Sequence, residues 1–95
     1  MKDTNEIVEL LRVLGDITRL RLLSALNSGE LTVSELTQVT GLSQPRVSRH
    51  LKLLCEAQIL GRTRDQNEVY YRAKVNEERR ALVQTALRAL PQNDY

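Results

Sequence analysis

Between Val33 and Gln58 the chain carries two helical periods divided by a break of only a few residues, and this spacing constrains the fold more than any other feature. Thr32-Val33-Ser34-Glu35 places a hydroxyl and a carboxylate three residues apart, the pattern of a capping box. Leu36 and Val39 then face inward along a short helix that stops at Thr40-Gly41. Ser43 is placed to cap a further helix, with Pro45 in its first turn, where the missing N–H has no helical partner to lose. At 3.6 residues per turn Val47, Leu51, Leu54 and Gln58 share one side, with Cys55 at the margin. Pro45, Arg49, Lys52 and Glu56 fall opposite, flanked by Arg46 and Ser48. A short helix, a glycine turn and a longer helix with a basic outer face predict a helix-turn-helix.

The flanking segments complete one small domain. Asp3-x-x-Glu6 starts a helix in which Ile7, Leu10, Leu11 and Leu14 recur at three and four, ending near Gly15. Asp16 caps the next, with a stripe of Leu20, Leu23 and Leu26, Leu22 beside it, closed by Asn27-Ser28-Gly29. Leu31-Thr32-Val33 is a brief extended piece. The fourth helix is expected to reach Ala57 or Gln58, and Gly61 to break the pattern. Arg62-Thr63-Arg64 and Val69-Tyr70-Tyr71-Arg72 read as a hairpin with Asp65-Gln66-Asn67-Glu68 at its tip. A last helix carries Leu82, Val83, Ala86 and Leu90 on one side and stops at Pro91. The order α-α-α-α-β-β-α, mainly helical with one small β-hairpin, predicts a winged helix-turn-helix over residues 1–91, with a frayed tail at 92–95.

Composition bears on packing and compartment. Three tyrosines, with no Phe or Trp, leave an aliphatic core, which suits packed helices. A chain of 95 residues buries only about 60–65% of its unfolded surface, which favours gaining stability through oligomerisation. The single cysteine excludes an intrachain disulfide framework and fits a reducing compartment. The chain opens on mixed charged and apolar residues, and no apolar run approaches a membrane span, so a cytoplasmic protein without a membrane partner is expected.

Charge is unevenly placed. From Ser43 to Lys74 seven Lys and Arg face three acids, so the rest of the chain is acidic on balance. A basic segment on an acidic body is the footprint of a polyanion-binding face, and here the partner expected is double-stranded DNA. Arg46 and Arg49 can pair bidentately with guanine, and Gln44 with adenine. Ser43 at the helix N-terminus suits a phosphate, and Ser48 belongs to the same reading face. Lys52 lies farther along, toward the backbone, and His50 on the flank suits a phosphate contact or a structural hydrogen bond. Arg62 and Arg64 share one strand face, with Gln66 and Asn67 at the tip, and Asp65 and Glu68 limit this wing to positioning on the backbone. Tyr70 and Tyr71 point to opposite faces, one into the core and one free to meet a phosphate. A winged helix using Leu53, Tyr71 or the hairpin to hold a protein is the alternative reading.

Leu14-Gly15-Asp16-Ile17-Thr18-Arg19-Leu20-Arg21-Leu22-Leu23 and Ser43 to Leu54 (SQPRVSRHLKLL) together resemble the ArsR/SmtB family of bacterial repressors, over Leu10 to Leu90. Ile17 departs from the proline usual after the aspartate. The stretch from Gln44 to Ala57 also resembles the DNA-binding domain of members that carry a methyltransferase, a domain absent from this sequence. The resemblance implies a homodimer joined by its first and last helices and repression relieved by an inducer. Ile7, Leu11 and Leu14, with Leu82, Val83, Ala86 and Leu90, are the interface residues expected. Two recognition helices would then stand about 34–36 Å apart on a palindromic operator.

The family's metal positions are altered here. Its Cys-Val-Cys aligns with Thr32-Val33-Ser34, a poor soft-metal site, and Asn76, Glu77 and Glu78 supply no histidine to the last-helix site. No metal and no cofactor are therefore expected, and the inducer is unidentified. Cys55, on the margin of an apolar face and with no second cysteine, reads as a core thiol rather than a redox sensor. Ser48 and His50 are two apart on a helix and cannot face each other, so no hydrolase pair forms and no enzyme is expected.

Overall fold

Side-chain caps set where the helices begin. In the computed structural model, which describes residues 3–91, Asp3 Oδ1 accepts from Glu6 N at 3.0 Å and opens α1 (Thr4–Leu14). Asp16 Oδ1 accepts from Arg19 N at 3.0 Å and opens α2 (Ile17–Leu26). β1 (Leu31–Thr32) leads directly into α3 (Val33–Thr40) through the expected capping box, Glu35 N to Thr32 Oγ1 at 3.2 Å and Thr32 N to Glu35 Oε1 at 2.8 Å. Gly41 ends α3 in the left-handed conformation (φ +71°), its N–H bonded to Thr37 O at 2.8 Å. α4 (Gln44–Glu56), β2 (Leu60–Asp65), β3 (Glu68–Ala73) and α5 (Glu77–Arg88) follow. The tail expected at 92–95 lies outside the described residues.

The sheet has three antiparallel strands in the order β1-β3-β2, one more than the hairpin expected. Two residues, Leu31 and Thr32, pair with Tyr71 and Tyr70; so short a strand has no local period to betray it. Gly61 does not break the chain but lies within β2 opposite Arg72. The hairpin turn is tighter than expected: Asp65 pairs with Glu68, leaving Gln66 and Asn67 as the loop, with Gln66 at φ +59°.

The core is aliphatic and shared by every helix: Leu10, Val13 and Leu14 of α1, Leu22, Leu23 and Leu26 of α2, Leu36 of α3, Val47, Leu51 and Leu54 of α4, and Val83 of α5. Ile59, Leu60 and Tyr71 close it from the sheet side. Each fully buried Leu contributes about 1.5–3 kcal/mol. Three inward positions differ from expectation. Leu22 is fully buried whereas Leu20 is only half-buried, because the packing of α2 is centred on Leu22 and Leu23. Val39 is 45% exposed, since Leu36 alone carries the buried side of this short helix. Gln58 leaves the apolar side of α4 because the helix stops first.

That stop is a Schellman motif: Ile59 N reaches Leu54 O and Gln58 N reaches Cys55 O, both at 3.0 Å. Gln58 takes the left-handed conformation (φ +61°), and Ile59 packs back among the buried residues with Leu54. The exposed side chain of Gln58 then accepts from Arg79 Nη1 at 2.9 Å, linking the end of α4 to α5.

Candidate nucleic-acid interface

α4 is anchored from behind. Leu36, Val47, Leu51 and Leu54 are all 0% exposed, which fixes the helix on α3 and the core by one side. Its other side carries Gln44, Pro45, Arg46, Arg49 and Lys52, all exposed, with Ser48 half-buried beside them. Ser43 has the extended backbone of a cap but makes no side-chain capping bond, contrary to expectation, and no acid stands in the first turn. The helix N-terminus therefore keeps an uncompensated positive end on the same face as Arg46 and Arg49. Gln44 Nε2 donates to Ser48 Oγ at 2.9 Å, a one-turn pair that holds the amide along the helix surface.

His50 is turned toward α2. Its Nδ1 lies 3.1 Å from Arg19 Nη1, so of the two roles open to it from sequence, the structural hydrogen bond is made in the free chain. Burial lowers the ring's pKa below the ordinary histidine range; Arg19, Arg46 and Arg49 lower it further, against the opposing charge of Asp16. Burial raises the carboxyl of Asp16, but the Arg19 N–H bond, the Arg19 guanidinium and the charge of His50 outweigh it and leave the pKa low. Arg19 was missed as a candidate site residue. Its spacing from Asp16, one helical turn, was the available signal.

The wing places Arg62, Arg64, Gln66 and Asn67 in solvent. Strand alternation puts Arg62 and Arg64 on the face of Leu60, opposite Tyr71 and Val69. This is the face that turns inward at the hairpin's base, and the charge of Arg62 reaches Cys55 near the end of α4. Tyr71 fills the core at 8% exposure and Tyr70 is half-buried on the opposite face. Cys55 is half-buried, and burial pushes its thiol pKa up, with Glu56 adding to this and Arg62 opposing. It borders a cleft of about 480 Å³ between α4, β2 and the approach to α5, with Gln58, Leu60, Lys74 and Val75 among its walls.

The two helices expected to join two copies each pack on α2, and an ion pair links them, Arg79 Nη2 of α5 at 3.7 Å from Glu6 Oε2 of α1. Leu14 and Val83, at 4% and 2% exposure, are consumed by the protomer's own core and offer no apolar surface. Leu11 is 49% exposed, and Val8, which sequence reasoning passed over, is 55% exposed. Ile7, Leu82, Ala86 and Leu90 are half-buried. Among the described residues no cluster of three His, Cys, Asp or Glu could hold a metal ion, and no helix is long and apolar enough to cross a membrane.

A helix-turn-helix with a two-stranded wing and an exposed basic second helix defines the winged helix-turn-helix class of regulators. The family described as "Bacterial regulatory protein, arsR family" matches residues 16–60. The chain is 34% identical over 89 residues to the biofilm growth-associated repressor of Agrobacterium fabrum, covering 94% of this chain and 74% of that protein. It is 39% identical over 77 residues to the HTH-type transcriptional regulator KmtR of Mycobacterium tuberculosis, covering 81% of this chain and 58% of that one. Among solved structures, reduced HlyU from Vibrio cholerae superposes with a TM-score of 0.82 at 28% identity, over 96% of this chain and 95% of that chain. The chain belongs to the arsR family. It spans about three-fifths of the length of several of the curated relatives it matches.

Proposed function

We propose that this chain is a cytoplasmic, non-enzymatic transcriptional repressor that binds a palindromic operator as a homodimer. The observation that carries the reading is the two-sidedness of α4: Val47, Leu51 and Leu54 fully buried, Arg46, Arg49 and Lys52 in solvent beside an uncapped helix N-terminus. Relatives named as repressors support it. Arg46, Arg49 and Gln44 read base edges, with Ser48 positioning Gln44. Ser43, Pro45, Lys52 and the wing residues Arg62, Arg64, Gln66 and Asn67 follow the backbone. The dimer forms through α1 and α5, around Ile7, Val8 and Leu11 of α1 and Leu82 and Ala86 of α5, with Leu90 just beyond its end. The inducer is not a soft metal, since Thr32 and Ser34 stand where family members place thiolates and the Thr32 hydroxyl is engaged with Glu35.

Selection of bound fragments from the source genome, followed by fluorescence anisotropy across a salt series, tests this. Affinity should fall steeply with salt. Arg49→Ala should cost about 1–3 kcal/mol on the selected site, and Lys52→Ala should weaken all sequences alike. Affinity independent of salt, or unchanged by Arg46→Ala with Arg49→Ala, would refute the reading and favour a protein partner.

A further inference from the structure

Arg19 joins three helices behind the exposed face of α4. Its side chain is 12% exposed. Its Nε donates to Val13 O and its Nη2 to Arg12 O at 3.3 Å, closing the last carbonyls of α1. Its own backbone N–H is held by Asp16 Oδ1 at 3.0 Å, and its Nη1 meets His50 Nδ1 at 3.1 Å on α4. A guanidinium has donors and no acceptor. At this contact Nδ1 must therefore be the unprotonated nitrogen, which leaves the ring neutral with its proton on Nε2. Among the described residues the only buried side-chain nitrogen or oxygen without a partner is Arg79 Nε, so His50 Nε2, for which no partner occurs, reaches solvent. It does so one residue after Arg49 and one turn after Arg46, both near enough for their charges to act on the ring.

We infer that Arg19 is a positioning residue that holds His50 as the neutral Nε2–H tautomer and presents that N–H to a DNA backbone phosphate beside Arg46 and Arg49. The phosphate contact rests on the DNA-binding reading above; the tautomer does not. Arg46 and Arg49 are cations that release counterions when they bind, whereas His50 contributes a hydrogen bond without adding charge. Burial favours the neutral ring, and of the charged groups facing it Arg19 from α2 and Arg46 and Arg49 on α4 act in the same direction, while Asp16 at the start of α2 opposes them.

Nitrogen-15 imidazole NMR on the intact free protein at neutral pH tests the first half. Nδ1 should give an unprotonated-type shift and Nε2 a protonated-type shift, with the two tautomers mixing in Arg19→Met and in Arg19→Lys, the latter keeping the charge but not the fork. A proton on Nδ1 in the wild type, or an unchanged tautomer in both variants, would overturn it. Operator binding tests the second half. His50→Ala should lose about tenfold in affinity with an unchanged salt slope, whereas Arg49→Ala should lower the slope by about one. His50→Gln, whose amide reaches the Nε2 position, should restore binding to within about twofold. Wild-type affinity in His50→Ala, or a slope that falls by one, would overturn the phosphate contact. A wild-type chain that binds no DNA would overturn the repressor reading and this contact together, while the tautomer is decided by the NMR alone.

Discussion

The turn between α3 and α4 depends on one backbone conformation, and Gly41→Ala isolates it. Gly41 sits at φ +71°, ψ +9°, and a Cβ built there meets nothing within 4 Å. The substitution therefore changes dihedral energy without a clash. A left-handed L-residue costs about 1–2 kcal/mol, and reduced freedom of the unfolded chain returns about 0.4–1 kcal/mol. The net loss expected is about 1 kcal/mol, equivalent to about 4–8 °C in Tm for a domain of this size. Gly41→Asn should lose about half as much, because asparagine tolerates this region, and Gly41→Val should lose more than alanine. Urea unfolding followed by circular dichroism, at one protein concentration because dissociation of the proposed dimer would shift apparent stability, measures the series. Operator affinity well below the transition should stay within about twofold, since the native turn is retained. Alanine as stable as glycine, or asparagine as costly as alanine, would refute the reasoning.

Leu51→Ala removes a 0%-exposed side chain from behind the basic outer face of α4 and should cost about 2–5 kcal/mol in urea unfolding; a loss below about 1 kcal/mol would show that α4 is not anchored there. At the left-handed end of α4, Gln58→Gly should be more stable than Gln58→Ala by about 1 kcal/mol, because both lose the bond to Arg79 and alanine's strain there outweighs the greater unfolded-chain freedom of glycine. Leu11→Glu should shift sedimentation toward the monomer at micromolar concentrations; an unchanged dimer would place the interface elsewhere. His50 and Asp16 both have lowered pKa values in the folded chain, so each contributes stability that is present above its unfolded pKa and lost on acidification. The loss should begin below about pH 6.5 for His50 and below about pH 3.9 for Asp16. His50→Gln should remove the first decline and leave the second, and stability that rises between pH 7 and 5 would contradict this.

Much of the fold is legible locally because its signals are local. Asp3, Asp16 and the Thr32–Glu35 box act on N–H groups three residues away, and each caps its helix as its spacing implies. The basic outer face of α4 follows from helical period alone, and Arg46, Arg49 and Lys52 are exposed as that period requires. The fate of Gln58 is not legible in this way: the period carries it onto the apolar side, but the Schellman turn ends the helix two residues earlier. The pairing of Leu31 and Thr32 with Tyr71 and Tyr70 is likewise hidden, because it joins segments some forty residues apart.

By itself, then, the sequence determined the helices, the turn that separates α3 from α4 and the basic face of α4, since caps, glycine conformation and side-chain period are properties of neighbouring residues. Only the tertiary structure decided which apolar residues the protomer keeps. Leu14 and Val83 belong to the core and Val8 and Leu11 to the surface, because burial depends on what the other helices bring to each face. It also decided the role of His50, whose hydrogen-bonding partner lies on a different helix, where no periodicity in the chain points.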